Sequence, residues 1–147
     1  MNNGHAEKAL ERFNSGYNCS QSVFSVYAEE EGMNEESSRA IASAFGGGIA
    51  HMQYTCGALT GAIMAIGLHF ARGKDALPKE EIYRKSRRFL SKFKELHGSS
   101  DCLELLGYDF YELNEQTAIE RTKVHEKCNN YIEDACRLLD ELFAQGT

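Results

Sequence analysis

Five cysteines are the residues of this sequence best suited to chemistry. They are Cys19, Cys56, Cys102, Cys128 and Cys136, and no two of them form a C-x-x-C pair. Each of the first four lies where the sequence predicts the start of a helix. A thiol at a helix N-terminus is close to free N–H groups and to the positive end of the helix dipole, which favour the thiolate. Because the thiolate binds metals and attacks disulfides, these four are the candidate catalytic and metal-binding residues.

The segment Cys56-Gly57-Ala58-Leu59-Thr60-Gly61 is the strongest local feature. It follows the glycine loop, residues 46–55, which begins with three consecutive glycines. Consecutive glycines allow positive φ angles and close approach of the backbone. We therefore expect Cys56 to be the first residue of a buried helix and to face a pocket walled by this loop, with His51 placed to donate a hydrogen bond to a thiolate. The candidate cofactor-binding residues are Gly46, Gly47, Gly48, His51 and Gly57.

Three kinds of function are compatible with four separated cysteines. In the first, a cysteine of low pKa attacks a disulfide, a second cysteine resolves the mixed disulfide, and electrons pass to a redox partner. Cys56 is the expected attacker. In the second, Cys19, Cys56, Cys102 and Cys128 converge as ligands of zinc or of an iron–sulfur cluster. In the third, the cysteines are core side chains of a dimeric helical interaction module.

Length, charge and hydropathy exclude several classes of partner. The 147 residues are typical of one domain, and 16 Lys and Arg against 22 Asp and Glu give a net charge of −6. A negative chain is a poor partner for nucleic acid or for an anionic membrane surface. The longest apolar stretch, residues 56–71, is too short and too rich in glycine to span a membrane. Residues 1–10 contain no apolar run, so we expect no signal peptide and a cytoplasmic protein, whose thiols stay reduced.

Apolar residues recur with the period of a helix, and no useful alternation predicts a strand. The sequence therefore predicts an all-α, single-domain bundle of about six to eight helices around the buried helix that begins at Cys56. Asn18 and Asn34 precede the second and third helices and are good N-cap residues. Helices are predicted over 6–14, 19–31, 35–45, 56–72, 78–97, 102–106, 114–121 and 128–144.

One face of the central helix carries small residues at four-residue spacing, namely Gly57, Gly61 and Ala65. Without large side chains, such a face lets a neighbouring helix or a cofactor lie close to the backbone. A second copy of the chain is one candidate for that neighbour. This face is the reason to expect a homodimer.

The cysteine motifs resemble those of a family of small redox-active proteins. That family has a lone cysteine, then a C-G-A-x-x-G motif, and then two more single cysteines. The matching segments lie between about residues 10 and 143, at 16–21, 45–48, 55–62, 102–109 and 127–128. The resemblance implies that Cys19, Cys56, Cys102 and Cys128 are the functional four and that Cys136 is outside the set. At position 51, where the resemblance leads us to expect Arg, this chain has His.

Overall fold

The computed structural model describes residues 4–145 of the chain. Within that range the chain forms seven α-helices and one turn of 3₁₀-helix, with no named strand, which confirms the predicted all-α bundle. No helix in the described range is both long enough and apolar enough to cross a membrane. The helices are α1 (His5–Asn14), α2 (Cys19–Glu30), α3 (Glu35–Ala42), α4 (Gly57–Phe70), α5 (Lys79–His97), α6 (Cys102–Leu106) and α7 (Glu115–Ala144), and the 3₁₀ turn is Ser43–Phe45.

Helix α4 is the central helix, as predicted, because most of its circumference is apolar. It packs against α2, α5 and α7. Leu59, Ala62 and Ile66 are fully buried in these contacts. Burial of a large apolar side chain such as leucine stabilises a fold by roughly 1.5–3 kcal/mol, so α4 organises the core around itself.

The small-residue face of α4 packs against α2 of the same chain. A Cβ atom on Gly61 would lie 2.7 Å from the carbonyl oxygen of Ser20, and one on Gly57 would lie 3.0 Å from the Cβ atom of Cys19. Only glycine lets the two helices approach this closely. The reason given for a homodimer is therefore wrong, because α2 already covers the face that was expected to contact a second copy.

Helix α2 begins at Cys19, as predicted, because Asn18 caps it. The Asn18 side chain accepts a hydrogen bond from the Gln21 N–H at 2.8 Å, and the Gln21 side chain accepts one from the Asn18 N–H at 3.0 Å. This capping box satisfies two N–H groups at the helix start. The side chains of Asn34 and Asn114 cap α3 and α7, because each accepts a hydrogen bond from a backbone N–H group in the first turn of its helix.

Helix α7 is a single helix of 30 residues, which corrects the prediction of two helices over 114–121 and 128–144. Its sequence contains neither glycine nor proline, so nothing interrupts the backbone hydrogen bonds between the two predicted segments. Cys128 consequently lies inside a helix. The expectation that a helix start favours the thiolate of Cys128 is wrong.

The glycine loop contains a left-handed turn. Five consecutive residues, 47–51, have φ angles between +51° and +78°. The turn is closed by backbone hydrogen bonds such as that from the His51 N–H to the Gly46 carbonyl, 2.9 Å. Left-handed backbone costs a non-glycine residue roughly 1–2 kcal/mol, and Ile49, Ala50 and His51 all adopt it. Contacts from the rest of the fold must therefore hold this turn in place.

Candidate functional site: a cysteine pocket

A cavity of about 470 Å³ lies beside the glycine loop. This cavity, the cysteine pocket, brings together residues that are far apart in the sequence. Its lining includes all four motif cysteines and four of the five predicted cofactor-binding residues: Cys19, Cys56, Cys102, Cys128, Gly46, Gly47, Gly48 and His51. All four motif cysteines and the three glycines of the loop thus line the same cavity. The chemical roles assigned to these residues stay predictions.

Aliphatic and aromatic side chains form much of the remaining wall, and their sequence pattern did not assign them to a site. They come from α1, α6, α7 and the connection before α7: Phe13, Leu105, Leu106, Phe110, Val124 and Tyr131. In the sequence they resemble ordinary core positions. Only the packing of the helices places them around the thiols.

An antiparallel bridge between Thr55 and Asp101 positions Cys56 and Cys102. Each of these cysteines donates its backbone N–H across the bridge, at 3.0 Å for Cys56 and 2.6 Å for Cys102. Side chains alternate between the two faces of extended chain. The two cysteines, each one residue away from the bridged pair, therefore project to the same side, and that side is the cysteine pocket.

Cys19 packs against the buried cluster that contains Cys128, and the two side chains interact. The interaction with Cys19 lowers the pKa of Cys128 below that of an ordinary cysteine and the positive charge of Lys127 lowers it further, while burial acts in the opposite direction. The same interaction, together with burial, raises the pKa of Cys19 well above its usual value. Of the two sulfurs, Cys128 is therefore the one on which a thiolate is more favourable.

Cys56 and Cys102 are weakly acidic, contrary to the expectation from their positions at helix starts. Burial raises the pKa of each to about 12. The N–H groups of Ala58 and Leu59 do lower the pKa of Cys56, as expected for a helix N-terminus, but burial outweighs them. A thiolate in this apolar site would lose more hydration energy than two N–H groups restore.

Three polar side chains hold the walls of the pocket, and the sequence analysis missed all of them. Gln53 is buried and makes two hydrogen bonds of 2.9 Å to the backbone of the 108–110 segment. Tyr131 and Lys127, on α7, donate to backbone carbonyls of α6 at 2.7 Å and 2.9 Å. Their partners are backbone groups from distant parts of the chain, so no local sequence signal distinguishes these residues from surface polar residues.

His51 and Gly57 have different surroundings from those expected of cofactor ligands. His51 is an exposed residue of the pocket lining, and its ring stacks on Phe110 with 4.2 Å between centroids. Its carbonyl oxygen accepts a hydrogen bond from the Tyr111 hydroxyl at 3.1 Å. Gly57 lies against Cys19 in the contact between α2 and α4. Its role is close packing of the two helices.

The four cysteines are not arranged around a single metal ion. A zinc site needs ligands that converge on one centre, with Zn–S bonds of about 2.3 Å. Among residues 4–145, no group of three or more His, Cys, Asp or Glu is placed to hold a metal ion. The residues as arranged therefore do not fit the expected zinc site.

Cys136 lies in the hydrophobic core, outside the lining of the cysteine pocket, as its place outside the motifs predicts. It is fully buried, and burial raises its pKa to about 12. Its backbone carbonyl accepts a hydrogen bond from the Tyr27 hydroxyl at 3.0 Å. These contacts give Cys136 a structural role.

An all-α bundle that gathers four distant cysteines in one pocket defines a class of small cysteine proteins. Residues 17–142 match the model of a family described as "Putative redox-active protein (C_GCAxxG_C_C)", and the protein belongs to this family. The resemblance inferred from the cysteine motifs is thereby confirmed. At the element that the description writes GCAxxG, this chain reads C-G-A-L-T-G over residues 56–61.

A relative from Archaeoglobus fulgidus carries the description "Uncharacterized protein". It is 35% identical to this chain over 113 residues, which cover 68% of this chain and 75% of the relative. No solved structure matches the chain.

Proposed function

We propose that this protein transfers two electrons through a reversible disulfide between Cys19 and Cys128. The observation that carries this proposal is that both cysteines line the cysteine pocket and that Cys19 packs against the buried cluster containing Cys128. One sulfur has a lowered pKa and the other keeps its proton, which is the pairing needed for an attacking and a resolving thiol. Membership of a family described as redox-active supports the same class of chemistry.

The exchange takes place in two steps. The Cys128 thiolate attacks one sulfur of a disulfide R–S–S–R, and R–S⁻ leaves. Cys19 then gives up its proton and attacks the Cys128 sulfur of the mixed disulfide, and the second R–S⁻ leaves. One S–S bond breaks in the partner and one forms in this protein, so the partner gains two electrons, and the proton of Cys19 converts one released thiolate to a thiol.

We assign the attack to Cys128 and not to Cys56, the attacker expected from the sequence. Burial keeps Cys56 and Cys102 protonated at neutral pH, since the pKa of each is raised to about 12. In this step they line the pocket as neutral thiols. We also infer that the protein works in the cytoplasm with a redox partner, because a dithiol that becomes oxidised needs a reducing compartment to restore it.

The test is to find which disulfide forms. The protein is purified anaerobically, reduced, treated with the neutral reagent 2-hydroxyethyl disulfide, and mapped by mass spectrometry after the free thiols are alkylated. We expect a Cys19–Cys128 linkage that is lost in Cys128→Ser. Cys136→Ser is the matched control, because it removes a buried cysteine outside the pocket, and it should leave the linkage intact.

Two results would refute the proposed function. One is an equal effect of Cys128→Ser and Cys136→Ser on disulfide formation, which would mean that the wrong cysteines were chosen. The other is stoichiometric iron with acid-labile sulfide in the anaerobically purified protein, which would assign the four cysteines to a cluster.

A further inference from the structure

The lining of the cysteine pocket is mostly apolar. Among residues 4–145, no Lys, Arg, Asp or Glu belongs to this lining. Three aromatic side chains, Phe13, Phe110 and Tyr131, form part of its wall. An anionic ligand would lose its hydration here without meeting a Lys or Arg side chain of the lining, and the thiolate proposed for Cys128 would repel it. The wall therefore selects for neutral molecules with flat apolar surfaces.

Three of the four pocket cysteines are buried, and Cys19 is partly exposed. Cys128 is 9% exposed, Cys102 7% and Cys56 5%, so a reacting group must enter the cavity to reach them. The volume of about 470 Å³ lies within the range of small-molecule sites, roughly 300–1,000 Å³.

We propose that the cysteine pocket binds a neutral, substituted quinone and reduces it to the hydroquinone. This inference rests on the proposed function, because Cys19 and Cys128 supply the two electrons. A quinone is neutral both before and after reduction, so neither the entering nor the leaving molecule places a charge in the apolar wall. Its flat ring matches the aromatic side chains, which favour offset or edge-to-face contact with another ring.

The reduction passes through a covalent adduct of Cys128 with the quinone. The Cys128 thiolate adds to a ring carbon and forms a C–S bond. The Cys19 sulfur then attacks Cys128, so that the S–S bond forms, the C–S bond breaks and the electron pair returns to the ring oxygens. One proton comes from Cys19 and one from water. The products are the Cys19–Cys128 disulfide and a hydroquinone.

Binding is tested separately from chemistry with the double variant Cys19→Ser/Cys128→Ser, which cannot form the disulfide. It is titrated by calorimetry with 2,3-dimethyl-1,4-naphthoquinone and with the analogue in which one methyl group is replaced by sulfonate. The two probes have the same ring and differ in charge. We expect the neutral quinone to bind at least about tenfold more tightly, which corresponds to about 1.4 kcal/mol. Equal affinities, tighter binding of the sulfonate, or no binding of either would overturn the inference.

A charge placed in the wall provides the matched test. In the double-serine background, Val124→Lys adds a cation at a half-buried position of α7 from which a lysine can still reach water. Val124→Met is the uncharged control. The preference for the neutral probe should fall at least about tenfold in the lysine variant and stay unchanged in the methionine variant. Equal preferences in two folded variants would overturn the inference. If Val124→Lys does not fold, the two probes on the unchanged wall decide.

Wild-type protein then separates this inference from the proposed function. Reduced protein and the neutral quinone are mixed anaerobically, and hydroquinone absorbance and the Cys19–Cys128 linkage are followed together. Equal yields of both support the inference. If 2-hydroxyethyl disulfide oxidises the pair but the quinone does not, the inference is overturned and the proposed function stands. If neither reagent oxidises the pair, both are overturned.

Discussion

Replacing Gly61 with alanine tests the close contact between α4 and α2 that places Cys19. A Cβ atom at this position would lie 2.7 Å from the Ser20 carbonyl oxygen and 3.2 Å from the Phe24 backbone nitrogen. These are backbone atoms, so no side chain can rotate away and the two helices must separate. Because Ser20 directly follows Cys19, the separation also moves Cys19 relative to Cys128.

Two opposing effects determine how much Gly61→Ala changes the free energy of unfolding. Alanine is about 1 kcal/mol more favourable than glycine inside a helix, whereas overpacking a filled contact costs about 1–3 kcal/mol. Gly67, on the same helix, is the matched control, because a Cβ atom there would meet no atom within 4 Å. The gain in helix propensity is common to both substitutions. Gly61→Ala should therefore be about 1–3 kcal/mol less stable than Gly67→Ala.

The assay is thermal unfolding followed by circular dichroism under reducing conditions. For a chain of this length, 1 kcal/mol corresponds to about 3 °C in Tm, so the Tm of Gly61→Ala should be about 3–9 °C below that of Gly67→Ala. Gly61→Ala should also slow formation of the Cys19–Cys128 disulfide, and Gly67→Ala should not. Equal Tm values for the two variants would refute the close contact between α2 and α4.

Three further substitutions address the glycine loop and the thiols. Gly48 has a φ of +78°, and a Cβ atom on it would lie 2.7 Å from the Cβ atom of Cys102. Gly48→Ala should therefore destabilise the fold by about 1–3 kcal/mol and increase the alkylation of Cys102 measured by mass spectrometry. Unchanged stability and labelling would contradict this. Lys127→Met removes the cation that lowers the pKa of Cys128, so the pH midpoint for iodoacetamide labelling of Cys128 should move upward, and a fixed midpoint would exclude that cause. Cys136→Ser tests how stability depends on pH. Burial raises the pKa of Cys136 in the folded protein from 9.0 to about 12. The stability due to its protonated thiol is therefore complete below pH 9 and is lost as the pH rises towards 12. The free energy of unfolding of the wild type should thus fall, relative to that of Cys136→Ser, by about 1.4 kcal/mol per pH unit above pH 9 in urea titrations, whereas a constant difference between pH 8 and 11 would disprove the shift.

Local sequence signals predicted most of the helices and the identity of the four motif cysteines. Asn18 predicts the start of α2 because an N-cap acts on N–H groups only two or three residues away. Helical periodicity identifies the core faces for the same reason, since side chains three and four residues apart share a face. The prediction failed over residues 122–127, where a break was assigned although no glycine or proline is present to end α7.

Only the tertiary structure showed that α2 packs on the small-residue face of α4. Gly57 and Gly61 indicate that something packs closely on α4, but their spacing does not say whether this is a second copy, a cofactor or another helix of the chain. The choice depends on how the loops let α2 return over α4. Helix-to-helix packing of this kind is decided by the combined fit of whole faces.

Only the tertiary structure decided which cysteine is acidic. The sequence by itself predicted that Cys56 is the attacking cysteine, because N–H groups at a helix start lower the pKa of a thiol. In the folded protein, burial raises the pKa of Cys56, and interaction with Cys19 lowers that of Cys128, near the other end of the chain. Burial and hydrogen bonding are produced by residues distant in sequence, whereas a motif records only neighbours along the chain.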